Sequence, residues 1–211
     1  GNIYVSDLRT GPPRIQKFTD TGEYLYGFAS KGTREDRVMD TKGITIDSKQ
    51  HLYIGDIDNM RVSKFETSGK FIKIIGKKGI RNGEFNLPSG VAVDPNDELF
   101  VSSYFGPCQK FSSDGKYLSS FAFPNPPEGA VHLLDVATDK WGNVYIIVKG
   151  IGNLDGSLNP VKDSDGNKLD IMKFNNNGDF VTNISLSDDE YDPLRLIVDE
   201  SNQLYVLFSG N

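Results

Sequence analysis

Cysteine, histidine, long apolar runs and net positive charge are all scarce in this chain of 211 residues. The sole cysteine, Cys108, rules out a disulfide within the chain and haem attachment through C-x-x-C-H. No apolar run approaches the roughly 18 residues that a membrane-spanning helix needs. The net charge of −6 argues against nucleic acid as the main partner, since phosphate binding needs a basic surface.

A recognisable catalytic set is also missing. The two histidines, His51 and His132, lie far apart in the sequence, and no Ser/His/Asp or Cys/His arrangement is suggested. Cys108 lies in a strand-like run, which indicates a buried small residue rather than a nucleophile. The acidic, asparagine-rich and nearly cysteine-free composition slightly favours a secreted or cell-surface protein over a cytoplasmic one.

Glycine, by contrast, is abundant at 22 residues, as a chain with many tight turns requires. Residues 43–71 contain three short apolar runs, GITID, HLYIGD and RVSKF, and a fourth run, FIKII, opens at Phe71. Clusters of Asp, Asn, Ser and Gly separate these runs. The pattern therefore predicts four strands joined by hairpins.

This four-strand unit recurs along the chain. The second strand returns as NIYVSD, HLYIGD, ELFVSS, NVYIIV and QLYVLF, and the third as RIQKF, RVSKF, CQKF and IMKF. Four strands in a unit of about 45 residues are typical of a β-propeller blade. One such sheet cannot bury both of its faces unless neighbouring sheets stack on it. The sequence therefore predicts an all-β fold, a β-propeller of four-stranded antiparallel blades.

We expect residues 1–211 to form a single propeller domain of four full repeats and a partial one. The repeats are predicted at about 1–42, 43–89, 90–134, 135–195 and 196–211. Because the chain begins and ends in the same strand of the unit, these two ends cannot share one position in a closed ring. We expect part of a five- or six-bladed ring, completed by flanking sequence or covered at its edge by another chain.

The motifs G-[IV]-x-[IV]-D, x-[LI]-Y-[VI]-x-D, N-x-R-[IV]-x-x-F and x-x-G-x-[FY], in this order, resemble the NHL repeat. Residues 43–75 match best and include Asp56, Asn59 and Arg61. The third unit departs from the pattern, with Pro107-Cys108 in place of Asn-x-Arg, and the fourth loses both the Asp and the Arg. The resemblance implies an NHL-type β-propeller in which this Asp and Arg pair structurally between strands.

The connections between predicted strands fall into two groups. First-to-second and third-to-fourth turns are short, whereas second-to-third and fourth-to-first loops are long, so a long-loop face and a short-turn face are predicted. Loops on a rigid scaffold commonly carry function, although these could also be merely variable connections. We place the binding surface on the long-loop face, with these candidate residues: Arg9, Arg14, Asp56, Asn59, Arg61, Tyr104 and Phe105.

Acidic residues suggest one cofactor, calcium. In the insertion of the fourth repeat, four residues form D-x-D-G-N-x-x-D, part of a calcium-loop pattern: Asp163, Asp165, Asn167 and Asp170. The alternative is a solvated hairpin tip in which Asp and Asn cap turns. A second acidic set ends the first strands beside tight turns and is predicted to cap them: Asp47, Asp94, Asp139 and Asp199.

The sequence thus predicts a non-catalytic propeller scaffold that binds a protein partner, a cell surface or a second copy of itself through the long-loop face. Two alternatives stay open. One is a metal-dependent lyase- or lactonase-like enzyme, which would need ligands in the central channel. The other is an RNA-binding NHL domain, suggested by Lys77, Lys78 and Arg81 in one long loop but opposed by the acidic net charge.

Overall fold

The computed structural model describes residues 1–7, 15–121, 131–150, 170–186 and 193–208, and within them it contains strands and turns but no helix. Accordingly, these residues include no helix that could cross a membrane. The strands are β1 (Asn2–Ser6), β2 (Ile15–Thr19), β3 (Tyr24–Phe28), β4 (Thr41–Ile46), β5 (His51–Asp56), β6 (Arg61–Glu66), β7 (Phe71–Ile75), β8 (Pro88–Val93), β9 (Leu99–Ser103), β10 (Cys108–Phe111), β11 (Tyr117–Phe121), β12 (Val131–Thr138), β13 (Val144–Gly150), β14 (Ile171–Phe174), β15 (Phe180–Ile184), β16 (Pro193–Val198) and β17 (Leu204–Phe208).

The strands form antiparallel sheets in which sequence neighbours are also spatial neighbours. Three sheets have four strands each, β4–β7, β8–β11 and β12–β15, while β1–β3 form a three-stranded sheet and β16–β17 a two-stranded one. Consecutive strands within each sheet therefore lie side by side, as local pairing of short strands predicts. The first strand of each later sheet begins at Thr41, Pro88, Val131 or Pro193.

The sheets stack radially through their first strands. β4 packs against β8, β8 against β12, and β12 against β16, so these four inner strands lie around one axis. Apolar clusters fill the space between successive sheets; one joins Ile15 and Phe65 of the first two sheets, and another joins Phe121 and Phe174 of the third and fourth. This arrangement is a β-propeller, which confirms the predicted fold class.

Burial is greatest in the middle strands of the best-surrounded blades and least at the rim. β5, β9 and β10 are buried along nearly their whole length, whereas β7 and β11 at the rim are buried only at their last residue. Strands covered by sheets on both sides read as continuous apolar runs, which explains why the second strand was the clearest repeat in the sequence.

Candidate functional site

A cavity of about 490 Å³ lies at the ends of the inner strands on the long-loop face. Four sheets contribute to its walls. The described residues that line it are Lys42, Tyr104, His132, Leu134, Lys149, Gly150, Leu194, Arg195 and Leu207. Three of these residues are cationic and none is acidic. We call this space the axial cavity.

One position of the inner strands sets how closely the sheets approach at the axis. It is held by Gly43 in β4, Gly90 in β8, Asp135 in β12 and Arg195 in β16. A Cβ on Gly43 would lie 2.8 Å from the backbone nitrogen of Val91, and one on Gly90 would lie 2.8 Å from the Cα of Asp135. The two glycines are thus required by close packing, whereas the last two sheets carry charged side chains there.

Arg195 reaches across the mouth of the axial cavity. Its Nη2 donates a hydrogen bond to the backbone carbonyl of Lys42, and its Nη1 lies 3.4 Å from the Leu194 carbonyl. Because β4 and β16 are the first and last of the four inner strands, the Arg195–Lys42 bond connects the two ends of the arc. It also holds the guanidinium charge at the cavity instead of in open solvent.

Asp135 is enclosed between β12 and β16 beside the axial cavity, and only 5% of its surface is exposed. One carboxylate oxygen accepts a hydrogen bond of 2.9 Å from the backbone N–H of Leu196. Burial raises the pKa of Asp135 to about 6, against the opposing effects of that hydrogen bond and of the Arg195 charge. Its negative charge is therefore poorly compensated at neutral pH.

An aromatic cluster flanks the axial cavity. The His132 ring makes edge contacts with Tyr104 and Phe105, at centroid distances of 5.3 and 4.8 Å. Burial and then the Lys149 charge lower the pKa of His132, so its imidazole is neutral at pH 7. Its Nε2 is buried and has no hydrogen-bond partner in the described residues. Phe105 remains 43% exposed.

The predicted trio Asp56, Asn59 and Arg61 forms an internal network. Asp56 is fully buried and accepts hydrogen bonds from Asn59 Nδ2 at 2.7 Å and Arg61 Nε at 3.2 Å. The Arg61 guanidinium also donates to the carbonyls of Arg34 and Arg37, at 2.6 and 2.7 Å. The trio thus fixes the loop between β3 and β4, as the structural alternative predicted. A direct role in ligand binding stays a prediction.

Sequence reasoning found part of the axial cavity and missed its charges. It named Tyr104 and Phe105, which lie at the cavity edge, but not Lys42, Lys149 or Arg195. A signal was available in the repeat alignment, because the glycine of the first two complete units gives way to a charged residue in the later ones. This replacement of glycine by a charged residue marks the blades in which the packing at the axis differs.

Several predicted site residues lie outside the described residues: Arg9, Arg14, Asp163, Asp165 and Asn167. Asp170 is described; it is 7% exposed and accepts a hydrogen bond of 2.8 Å from the Leu186 N–H. No group of three or more His, Cys, Asp or Glu residues in the described ranges could hold a metal ion. Calcium binding by the insertion stays a prediction.

On the short-turn face, the acids at the ends of the first strands cap the following turns. Asp47 Oδ1 accepts the N–H groups of Lys49 and His51 at 3.0 and 2.8 Å, and its Oδ2 accepts the Tyr53 hydroxyl at 3.1 Å. Matching bonds are made by the other blades' carboxylates: Asp94, Asp139 and Asp199. This confirms the predicted capping role.

The basic residues in and beside β6 and β7, up to Lys77 in the loop that also holds Lys78 and Arg81, do not share one set of contacts. Lys64 is buried, and its ammonium donates to the Tyr53 hydroxyl at 2.5 Å and the Ser113 carbonyl at 2.9 Å. The other members have separate partners: Lys70 pairs with Glu66, Lys73 with the Asp114 carbonyl and Lys77 with Glu84. Cys108 is buried, and burial raises the pKa of its thiol, as expected for an unreactive residue.

No protein-family model matches the sequence, and no curated protein matches it. Solved structures do match. A gluconolactonase from Xanthomonas campestris is 12% identical, with a TM-score of 0.63 over 92% of this chain and 62% of that one. A second structure assigned to the gluconolactonases is 13% identical, with a TM-score of 0.59 over 92% of this chain and 64% of that one.

The hydrazine synthase of Kuenenia stuttgartiensis is also similar, at 14% identity and a TM-score of 0.56 over 87% of this chain and 45% of that one. This chain therefore spans less than two thirds of the length of each of these proteins. At such low identity the likeness shows the fold alone, the β-propeller.

Proposed function

We propose that this protein is a non-catalytic binding module that engages a protein partner through its long-loop face. The observation that carries the proposal is the axial cavity, which gathers Lys42, Lys149, Arg195 and a neutral His132 at one end of the propeller axis. The residues that line the cavity come from four sheets, whereas the capping carboxylates of the short-turn face repeat the same bonds within their own blades. The long-loop face is therefore the chemically distinctive one.

Exposed apolar side chains also occur on the long-loop face. Phe105 is 43% exposed, Leu207 61% and Ile80, in the loop between β7 and β8, 85%. Protein interfaces commonly combine aromatic and aliphatic anchors with a few polar groups, and a small number of such anchors carry most of the binding free energy. Phe105 and Ile80 are the anchors that we assign to partner binding.

A lactonase-like enzyme is the second candidate, and the fold likeness to gluconolactonases is what favours it. A metal centre in the propeller channel would need several carboxylate or histidine ligands. The described lining of the axial cavity offers His132 and no carboxylate, and no metal-holding group occurs elsewhere in the described ranges. These residues do not fit a metal centre, so we derive no reaction from them.

The proposal is tested with two surface variants and one control. A partner isolated on the immobilised wild-type protein is purified and titrated against Phe105→Ser, Ile80→Ser and Trp141→Ser. Trp141 is the matched control, since it is 65% exposed but lies in the short turn between β12 and β13. We expect about tenfold weaker binding for each of the first two variants and no change for the third.

Weakening by Trp141→Ser alone would place the working surface on the opposite face and overturn the proposal. Turnover of gluconolactone by the wild-type protein, assayed with Ca²⁺, Mg²⁺, Mn²⁺ and Zn²⁺ in turn, would overturn the non-catalytic assignment. Equal unfolding temperatures for all variants establish that any change in affinity comes from the surface.

A further inference from the structure

We propose that the axial cavity is an oxyanion site that receives an acidic side chain, a glutamate in particular, from the bound partner. This inference rests on the proposed function, because it names the chemical group that the long-loop face recognises. Three arguments support it: the charge of the cavity, the donors that face it and the apolar walls around them.

The charge of the axial cavity runs against that of the whole protein. The chain carries a net charge of −6, yet Lys42, Lys149 and Arg195 line the cavity and no acidic residue appears in its described lining. Lys42 and Arg195 repel each other at this partly enclosed site, and a ligand anion relieves that repulsion.

The donors are placed to receive an oxyanion. Arg195 is positioned by its bond to the Lys42 carbonyl, and a guanidinium has five N–H groups, more than this bond uses. The Lys42 ammonium makes no hydrogen bond or ion pair with any part of the chain that the structure describes, although its backbone holds the Arg195 guanidinium nearby. Planar, multiple N–H groups beside a second cation suit a carboxylate.

The remaining lining favours a carboxylate on an aliphatic stem. His132 presents a buried Nε2 without a hydrogen-bond partner in the described residues, next to Tyr104. Leu134, Leu194 and Leu207 supply apolar walls. A volume of about 490 Å³ admits a whole side chain, and such walls would pack against methylene groups. Inorganic phosphate, which has no apolar part, would leave these walls unused.

The two histidines provide a direct test by NMR. His132 lies at the axial cavity, whereas His51 begins β5 at the short-turn face and is bonded to Asp47 at 2.9 Å, so its imidazole signal is an internal control. The probes are N-acetyl-glutamate α-amide, its neutral analogue N-acetyl-glutamine α-amide, and inorganic phosphate, each titrated at pH 7.5 and constant ionic strength. We expect saturable shifts of His132, but not of His51, with the glutamate probe.

Two charge variants complete the experiment. Lys42→Gln removes a cation from the cavity, and Lys140→Gln removes one from the exposed short-turn face, where it lies over the Trp141 ring. We expect about fivefold weaker binding of the glutamate probe to Lys42→Gln, the loss of one partly exposed charge pair, and less than a twofold change for Lys140→Gln.

Equal shifts with the neutral amide, or a response to phosphate but not to the glutamate probe, would overturn the proposal. So would unchanged affinity in Lys42→Gln. None of these titrations involves the partner protein, so the oxyanion site can fail while the Phe105 and Ile80 variants still weaken partner binding. The reverse result would reject the protein-binding function and retain an anion site.

Discussion

The two faces of this propeller are built from the same strands but follow different rules. On the short-turn face a carboxylate caps the same turn in blade after blade, as Asp47 and Asp139 do with nearly identical hydrogen bonds. On the long-loop face, residues at equivalent positions differ, and Gly43 and Gly90 are replaced by Asp135 and Arg195. Repetition thus maintains the scaffold, and the breaks in repetition mark the candidate site.

Two buried carboxylates show this difference in their electrostatics. Burial acts to raise the pKa of Asp47, but hydrogen bonds from His51 and the Lys64 charge outweigh it, so the pKa is lowered. Burial raises the pKa of Asp135 to about 6 because its compensating contacts are fewer. The ionised carboxylate of Asp47 stabilises the fold, whereas ionisation of Asp135 lowers the free energy of unfolding. Three substitutions sharpen this comparison.

The largest effect is expected from Asp47→Ala. This substitution removes the acceptor of four hydrogen bonds and leaves the Lys64 ammonium, 3.4 Å away, without its buried counter-ion. We expect the free energy of unfolding to fall by about 3–5 kcal/mol, measured by urea denaturation.

The matched control for this substitution is Asp36→Ala on the long-loop face. Asp36 pairs with Arg34, but both side chains are largely exposed, so we expect a loss of less than about 1 kcal/mol. Similar losses for the two alanine variants would contradict the view that the short-turn carboxylates hold the scaffold together.

A smaller effect, with the opposite dependence on pH, is expected from Asp135. Its pKa rises from 3.8 to about 6 on folding, so the folded state binds the proton more tightly than the unfolded state. The stabilisation this provides is complete only well below the unfolded-state pKa of 3.8 and is lost as the pH rises through 6. Relative to Asp135→Asn, the wild-type protein should therefore lose about 3 kcal/mol of stability between pH 3 and pH 8.

This difference is measured from urea denaturation of both proteins across that pH range. Asp47 serves as the internal contrast: its lowered pKa means that its contribution is present above the unfolded-state pKa and is lost as the pH falls. Parallel stability curves for the wild-type protein and Asp135→Asn would show that Asp135 ionises normally in the folded protein.

The smallest of the three effects is expected from Gly43→Ala at the axis. The new Cβ would lie 2.8 Å from the Val91 nitrogen, so β4 and β8 would have to separate. We expect a loss of about 2–3 kcal/mol, the usual range for overpacking. The control is Gly55→Ala in β5, where the nearest atom would be 3.5 Å away, and the expected loss is below about 1 kcal/mol. A larger loss at Gly55 would contradict the close approach at the axis.

The features that repeat in every blade could be predicted from the sequence, but the contacts that occur in a single blade could not. Alternating apolar runs and turn residues predicted the sheets, and the fixed place of Asp47 and its counterparts predicted their capping role. Tyr104 and Phe105 were named because aromatic residues on an irregular loop face suit protein contacts. The Arg61 contacts could not be foreseen, because two of its partners are the backbone carbonyls of Arg34 and Arg37.

The axial cavity could not be predicted because it depends on tertiary distance. Arg195 and Lys42 are 153 positions apart, and only the radial stacking of sheets brings them together. Neither residue belongs to a recognised motif, and neither would stand out on a helix or strand taken alone. Such charged residues can be recognised in the sequence only when the repeats are aligned and the positions that depart from the repeat pattern are identified.

The hydrogen bond from Arg195 to the Lys42 carbonyl forms only while the sheet of β16 and β17 is packed in place, so the cavity depends on that packing. β16 and β17 form the smallest sheet described, and local opening of this sheet would withdraw the Arg195 guanidinium from the axial cavity. An occupant held by that guanidinium would, by mass action, protect the backbone amides of β16 and β17 from hydrogen exchange. Binding of such an occupant in the axial cavity and local unfolding of β16 and β17 would therefore be thermodynamically linked.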